Sequence, residues 1–270
     1  RRSRWLEYFG SQQVMDDQPL SQRMGTRSIE RAQRTVEEMN FETRKHLKEY
    51  DDVMNEQRRI IYGIRREVLE DRDVRERIDE FFAHTIEAMI SEYAPQDQLP
   101  DNWDLDSLEA RFKQVFGFDP KLDAEEGEEP APLDADLLQQ VRDRYVAHEK
   151  SIEDEYRGSY REQIGGDDSH IDFAKLARKY VHDIEKMALL SAVDDKWIDH
   201  LYSMDYLRDS VRLRAFGQKD PLVEYKTEGF NLFEAMISKL RETATAQVMR
   251  VEIQSQAPGE LLPDEDDLPF

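Results

Sequence analysis

Apolar residues recur along this chain at helical intervals. From Ser28 onward, Ile29, Ala32, Val36 and Met39 fall at heptad-like steps, and Leu47, Tyr50, Met54, Ile61, Ile64 and Val68 prolong the stripe. Ser28 reads as the N-cap, since its hydroxyl can accept from an orphan amide of the first turn. A helix continuing to Glu70 would run about 43 residues, or roughly 65 Å at 1.5 Å per residue. That length suits a spine along which other parts pack or move. Gly63 is its expected weak point.

Beyond the spine the same arithmetic repeats. Asp71-Arg72-Asp73 can cap a second helix whose apolar face is Val74, Ile78, Phe81, Phe82, Ile86, Met89 and Ile90, with Pro95 ending it. Trp103, Leu105, Leu108, Phe112, Val115 and Phe116 predict a short helix closed by Gly117. Leu137, Val141, Tyr145 and Ile152 mark a polar helix over Asp134 to Gln163, broken at Gly165-Gly166. A second long stripe follows, through Phe173, Leu176, Tyr180, Ile184, Met187, Leu190, Val193, Trp197, Leu201, Met204, Leu207 and Val211. It stops near Phe216-Gly217, and Pro221 opens a helix carrying Leu222, Tyr225, Leu232, Met236, Leu240, Ala244, Val248 and Val251. So short a loop between two amphipathic helices forces an antiparallel pair with Phe216 to Asp220 at its tip. No period-two pattern persists, so the expected fold is all-α.

Two stretches do not look folded. Asp119 to Asp134 holds seven acids, three Pro and one Lys, the composition of a solvated loop, and the acidic, Pro-rich residues from Ala257 to Phe270 read as a disordered tail. The first 25 residues are irregular, with a small apolar cluster at Trp5, Leu6 and Phe9. They show no signal-peptide pattern and no recognisable domain start, so a piece of a longer polypeptide is expected.

Composition narrows the function more than the fold. Thirty-eight basic and 60 acidic residues leave a net charge of −22, unfavourable for wrapping nucleic acid. Arg1 to Arg66 carry 14 basic and 11 acidic residues, so the negative balance lies downstream. Cys is absent, which excludes disulfides and thiolate zinc sites. No apolar run approaches the roughly 20 residues that cross a bilayer, and no Gly-rich phosphate loop is present.

Local chemistry is sparse. Asp195 and Asp199 share a face near His200, but a metal site in a bundle needs convergent ligands from several helices, and none is patterned here. Asp51 and Asp52 point about 100° apart on a helix and read as solvated, pairing with Lys48 or Arg58, the alternative being a contact with a neighbouring domain. The hairpin tip is different. Arg208, Arg212, Arg214 and Lys219 gather around Phe216 in an otherwise acidic half, a contact device suited to unfolded polypeptide or to an anionic membrane surface. An ordinary loop with Phe216 folded back is the competing expectation.

Two long signatures then carry a resemblance. Asn40-Phe41-Glu42-Thr43-Arg44, continuing to Tyr50-Asp51-Asp52-Val53-Met54-Asn55-Glu56-Gln57-Arg58, resembles the scaffold helix of the SecA family of bacterial preprotein translocase motors. Trp197-Ile198-Asp199-His200-Leu201, Met204-Asp205-Tyr206-Leu207-Arg208, Leu213-Arg214, Gly217-Gln218-Lys219-Asp220-Pro221 and Glu224-Tyr225 resemble that family's two-helix finger. The segment between Asp71 and Asp168 matches the helical wing only loosely.

The resemblance implies a division into a motor-domain remnant (1–27), a long scaffold helix (28–70), a helical wing (71–168), scaffold and finger (169–255) and an acidic tail (256–270). It implies a cytoplasmic protein, peripheral on the plasma membrane, that couples ATP hydrolysis to movement of unfolded preproteins through the SecY channel. This chain would transmit motor movement and touch the polypeptide with Arg212, Arg214, Phe216, Gly217, Gln218 and Lys219. ATP and magnesium would belong to motor domains this sequence does not carry, leaving it without catalytic, cofactor or metal residues and inactive alone. Many members carry Tyr where Phe216 stands, and the zinc-binding tail of many others needs Cys, which is absent here. Whether the protein pairs as a homodimer stays open, as does a competing reading, a stand-alone helical adaptor for a cytosolic partner.

Overall fold

The structure is a computed structural model that describes residues 23–95, 98–122, 133–163, 171–214 and 220–250. Among these, every long element is an α-helix: α1 (Arg23–Leu69), α2 (Val74–Tyr93), α3 (Leu105–Phe116), α4 (Leu133–Gln163), α5 (Phe173–Arg214) and α6 (Pro221–Met249), with one 3-10 turn at Pro100–Asn102. The all-α expectation holds. The acidic tail, the first 22 residues, most of the acidic loop and the break at Gly165-Gly166 lie outside the described residues.

Contacts divide the chain into two units, residues 1–54 and 55–270. The described part of the first is the stretch of α1 from Arg23 to Met54. Here Ile29, Ala32, Val36, Met39 and Leu47 of the expected stripe are all exposed, whereas Tyr50 and Met54 are half-buried. Ser28 is not the N-cap, because α1 already includes Arg23 and Ser28 sits inside the helix. Asp51 and Asp52 are exposed as expected, while Arg58 donates to Asn55 Oδ1 at 3.0 Å.

The second unit holds the core. Ile61 and Val68 of α1 are fully buried, and the helix passes through Gly63 unbroken. α2 packs on α3, α4, α5 and α6 through the whole apolar face read from its sequence. Phe82 meets Phe116 and Tyr145 edge-on at 6.3 and 5.6 Å, tying three helices at one point. Helix boundaries follow local chemistry. Asp104 accepts from the Ser107 amide at 3.1 Å to start α3, and Gly117, at φ 81°, closes it. Asp220 accepts from the Leu222 amide at 2.9 Å, with Pro221 in the first turn of α6.

The N-terminal half of α5 departs from the expected stripe. Phe173, Ala177, Val181, Ala188, Leu189 and Ala192 are buried, whereas Met187 is 65% exposed and Leu176, Tyr180 and Ile184 are only half-buried. The buried face is centred on Glu185, a charge that hides it from an apolar count. α6 shows a smaller shift: Gly229 and Phe233 are buried where Leu222 and Leu232 were expected.

Candidate functional site

α5 and α6 form the hairpin that the sequence predicted. His200 lies against Phe233 and Met204 against Gly229, so the two helices run in opposite directions. The approach at Gly229 is close: a Cβ there would lie 2.9 Å from Met204 Cε. Of the tip residues, Arg212 and Arg214 lie in the last turn of α5, and nothing is described of their side chains. Phe216, Gly217, Gln218 and Lys219 lie outside the described residues. Arg208, one turn below, pairs with Asp205 at 3.1 Å on the same helix.

Where α1 meets the hairpin, the contact is polar at its centre. Gln57 of α1 is buried and donates from Nε2 to the Gly229 carbonyl of α6 at 3.1 Å. Its Oε1 lies 2.9 Å from His200 Nε2 on α5. Trp197 and Phe233 flank the imidazole at 5.6 Å each. Burial pushes the His200 pKa below the usual histidine range, because a charged ring would be poorly solvated there. Asp195 and Asp199 are exposed while His200 is buried, so the three side chains do not converge. Among the described residues, no group of three or more His, Asp or Glu could hold a metal ion.

A second polar joint fastens α2 and α4 to α5. Glu185, only 2% exposed, accepts from Arg75 of α2 at 2.9 Å and from the Tyr145 hydroxyl of α4 at 2.6 Å. Arg75 also lies 4.0 Å above the Tyr145 ring. Beside it, Asp71 takes His182 Nε2 at 2.8 Å and Lys186 Nζ at 3.1 Å, and these two partners hold its carboxyl below the ordinary range. Asp71 and Asp73 both adopt left-handed backbone angles, φ 62° and 50°, at the corner between α1 and α2. Sequence reasoning passed over Gln57, Gly229 and Glu185, since a lone buried polar residue or glycine carries no periodic signal.

Comparison with known sequences decides what this arrangement belongs to. The pattern of the SecA Wing and Scaffold domain matches residues 19–252. The chain belongs to the SecA family. It is 40% identical to the protein translocase subunit SecA of Streptomyces coelicolor over 256 residues, which is 95% of this chain and 25% of that protein. Against the SecA of Heliobacterium modesticaldum it is 37% identical over 259 residues, and against that of Pelotomaculum thermopropionicum 35% identical over the same length. The chain thus spans about a quarter of the length of these SecA relatives. Among the described residues no helix is long and apolar enough to cross a membrane.

Proposed function

We propose that this segment is the transmission and polypeptide-handling part of a SecA-type translocase. In this reading, ATP-driven movement of motor domains elsewhere in a SecA polypeptide enters along α1 and leaves through the α5–α6 hairpin. The hairpin tip, with Arg212, Arg214, Phe216, Gly217, Gln218 and Lys219, meets unfolded preprotein at the SecY channel, on the cytoplasmic face of the plasma membrane. ATP and magnesium act in the motor domains, and the tip cations suit an anionic lipid surface nearby. The observation that carries this reading is the three-helix junction at Gln57, where one side chain of the scaffold helix bonds to both hairpin helices.

Phe216 is the residue to test. A large side chain at a hairpin end grips extended chain through non-directional apolar contact. In a Streptomyces coelicolor SecA carrying residues 19–252 of this chain in place of its own, Phe216→Gly is expected to abolish preprotein transport while ATP hydrolysis without preprotein continues. Unchanged transport would refute the assignment.

A further inference from the structure

Gln57 is held in a single orientation by chemistry rather than by packing. The Gly229 carbonyl can only accept, so the Gln57 NH2 must face it, at 3.1 Å. Oε1 then faces His200 at 2.9 Å, and Nε2 of that ring must carry the proton. The apolar groups at this level, Ile61, Trp197 and Phe233, are buried, and the hydrophobic gain of burying them is itself non-directional. Hydrogen bonds prefer one alignment, through distance and angle. A slip of α1 by one turn, about 5.4 Å, would bring Ile61 opposite His200 and leave the ring N–H, the amide and its partners buried and unmatched. The hairpin has little slack of its own at this level, because Gly229 lets α6 lie hard against Met204 of α5.

We propose that Gln57 is a positioning residue whose paired bonds to His200 and Gly229 set the axial and rotational register of the scaffold helix against both hairpin helices. This deepens the function proposed above and rests on it: the register key is what lets motion of α1 reach the tip rather than dissipate as sliding. Gln57 does not touch polypeptide in this account. It acts through His200 and the α6 backbone.

The test begins on the chain itself, by amide hydrogen exchange. In the unaltered chain, α1 from Arg58 to Leu69 and the hairpin around His200 and Gly229 should open together. Gln57→Met keeps the side-chain length and removes both hydrogen-bond functions. It should make the α1 stretch exchange at least tenfold faster than the hairpin. Ile61→Val serves as a control that loosens the same contact without touching the key, and should leave the two segments opening together. His200→Gln, which restores an N–H near the position of Nε2, should keep them coupled. Joint opening in Gln57→Met, or a comparable split in Ile61→Val, would overturn the inference. In the Streptomyces coelicolor SecA carrying residues 19–252 of this chain, Gln57→Met should lower preprotein transport at least fivefold with preprotein-independent ATP hydrolysis unchanged. If exchange splits yet transport is unaffected, the register key stands and the transmission reading falls.

Discussion

The Tyr145 hydroxyl donates to Glu185 Oε1 at 2.6 Å, and Arg75 donates to the same oxygen at 2.9 Å. A carboxylate so thoroughly removed from water is tolerable only because both donors are present, one neutral and one charged. Tyr145→Phe keeps the ring against Phe82 and under Arg75 while deleting one donor. It should destabilise the fold by about 1.5–3 kcal/mol, the range for a hydrogen bond to a charged group. Urea unfolding of the two proteins gives the difference, and a loss below about 0.5 kcal/mol would mean that water enters the joint.

Two groups give the stability a definite pH dependence. His200 has a folded pKa below its ordinary 6.5, so between those two values the unfolded chain binds more protons than the native one. Its contribution is complete above about pH 6.5 and declines as pH falls. The Tyr145 phenol is pushed up from 10 by burial and by Glu185, so its contribution is complete below about pH 10 and is lost as pH rises beyond that. Unfolding curves at pH 5.5, 7.5 and 10.5 should therefore show a maximum in the middle. In His200→Gln the acid limb should flatten, and an unchanged slope would assign that limb to other groups.

Gly63 offers a stabilising change. A Cβ added there meets nothing within 4 Å, and α1 runs straight through the position. Alanine should gain about 0.5–1 kcal/mol through helix propensity alone. Thermal unfolding of Gly63→Ala should show a raised Tm.

Gly229 behaves differently although it too lies inside a helix. The propensity gain of alanine is opposed by the 2.9 Å approach to Met204 Cε, the end of a buried but flexible side chain. Gly229→Ala should fall within about 1 kcal/mol of neutral, whereas Gly229→Leu should overpack the junction and cost about 1–3 kcal/mol. Equal effects of the two, measured by denaturation, would mean that the helices separate freely there.

ATP binding by this chain alone is not expected, because no Gly-rich phosphate loop occurs in its sequence. Titration calorimetry with ATP and magnesium should give no saturable heat.

How far the sequence could be read depended on what each helix buries. α2 and α3 bury mainly apolar faces, Thr85 apart, and Phe81, Phe82, Phe112 and Phe116 were all legible as core. In α5 Phe173 was legible as core, but from Leu176 to Met187 the buried positions lie one further along, since the centre of that face is Glu185, whose partners Arg75 and Tyr145 come from 110 and 40 residues away. A carboxylate with distant donors looks like a surface residue until the chain is folded. Gln57 and Gly229 were hidden for the same reason, as they are joined across 172 positions. The start of α1 was misjudged because Ser28 has the chemistry of a cap without the place of one. Of the candidate site, the hairpin was legible and its junction with α1 was not.

The corner between α1 and α2 turns on two aspartates, both with positive φ, and one of them also reaches across to His182 and Lys186. Glycine at position 71 would relieve the backbone and release the anchor, while a branched side chain would find the left-handed turn barely accessible. Asparagine alone keeps both the turn and an acceptor, though not the charge. The corner between α1 and α2 is therefore nearly closed to substitution, and most changes there would loosen the anchor that Asp71 makes on α5.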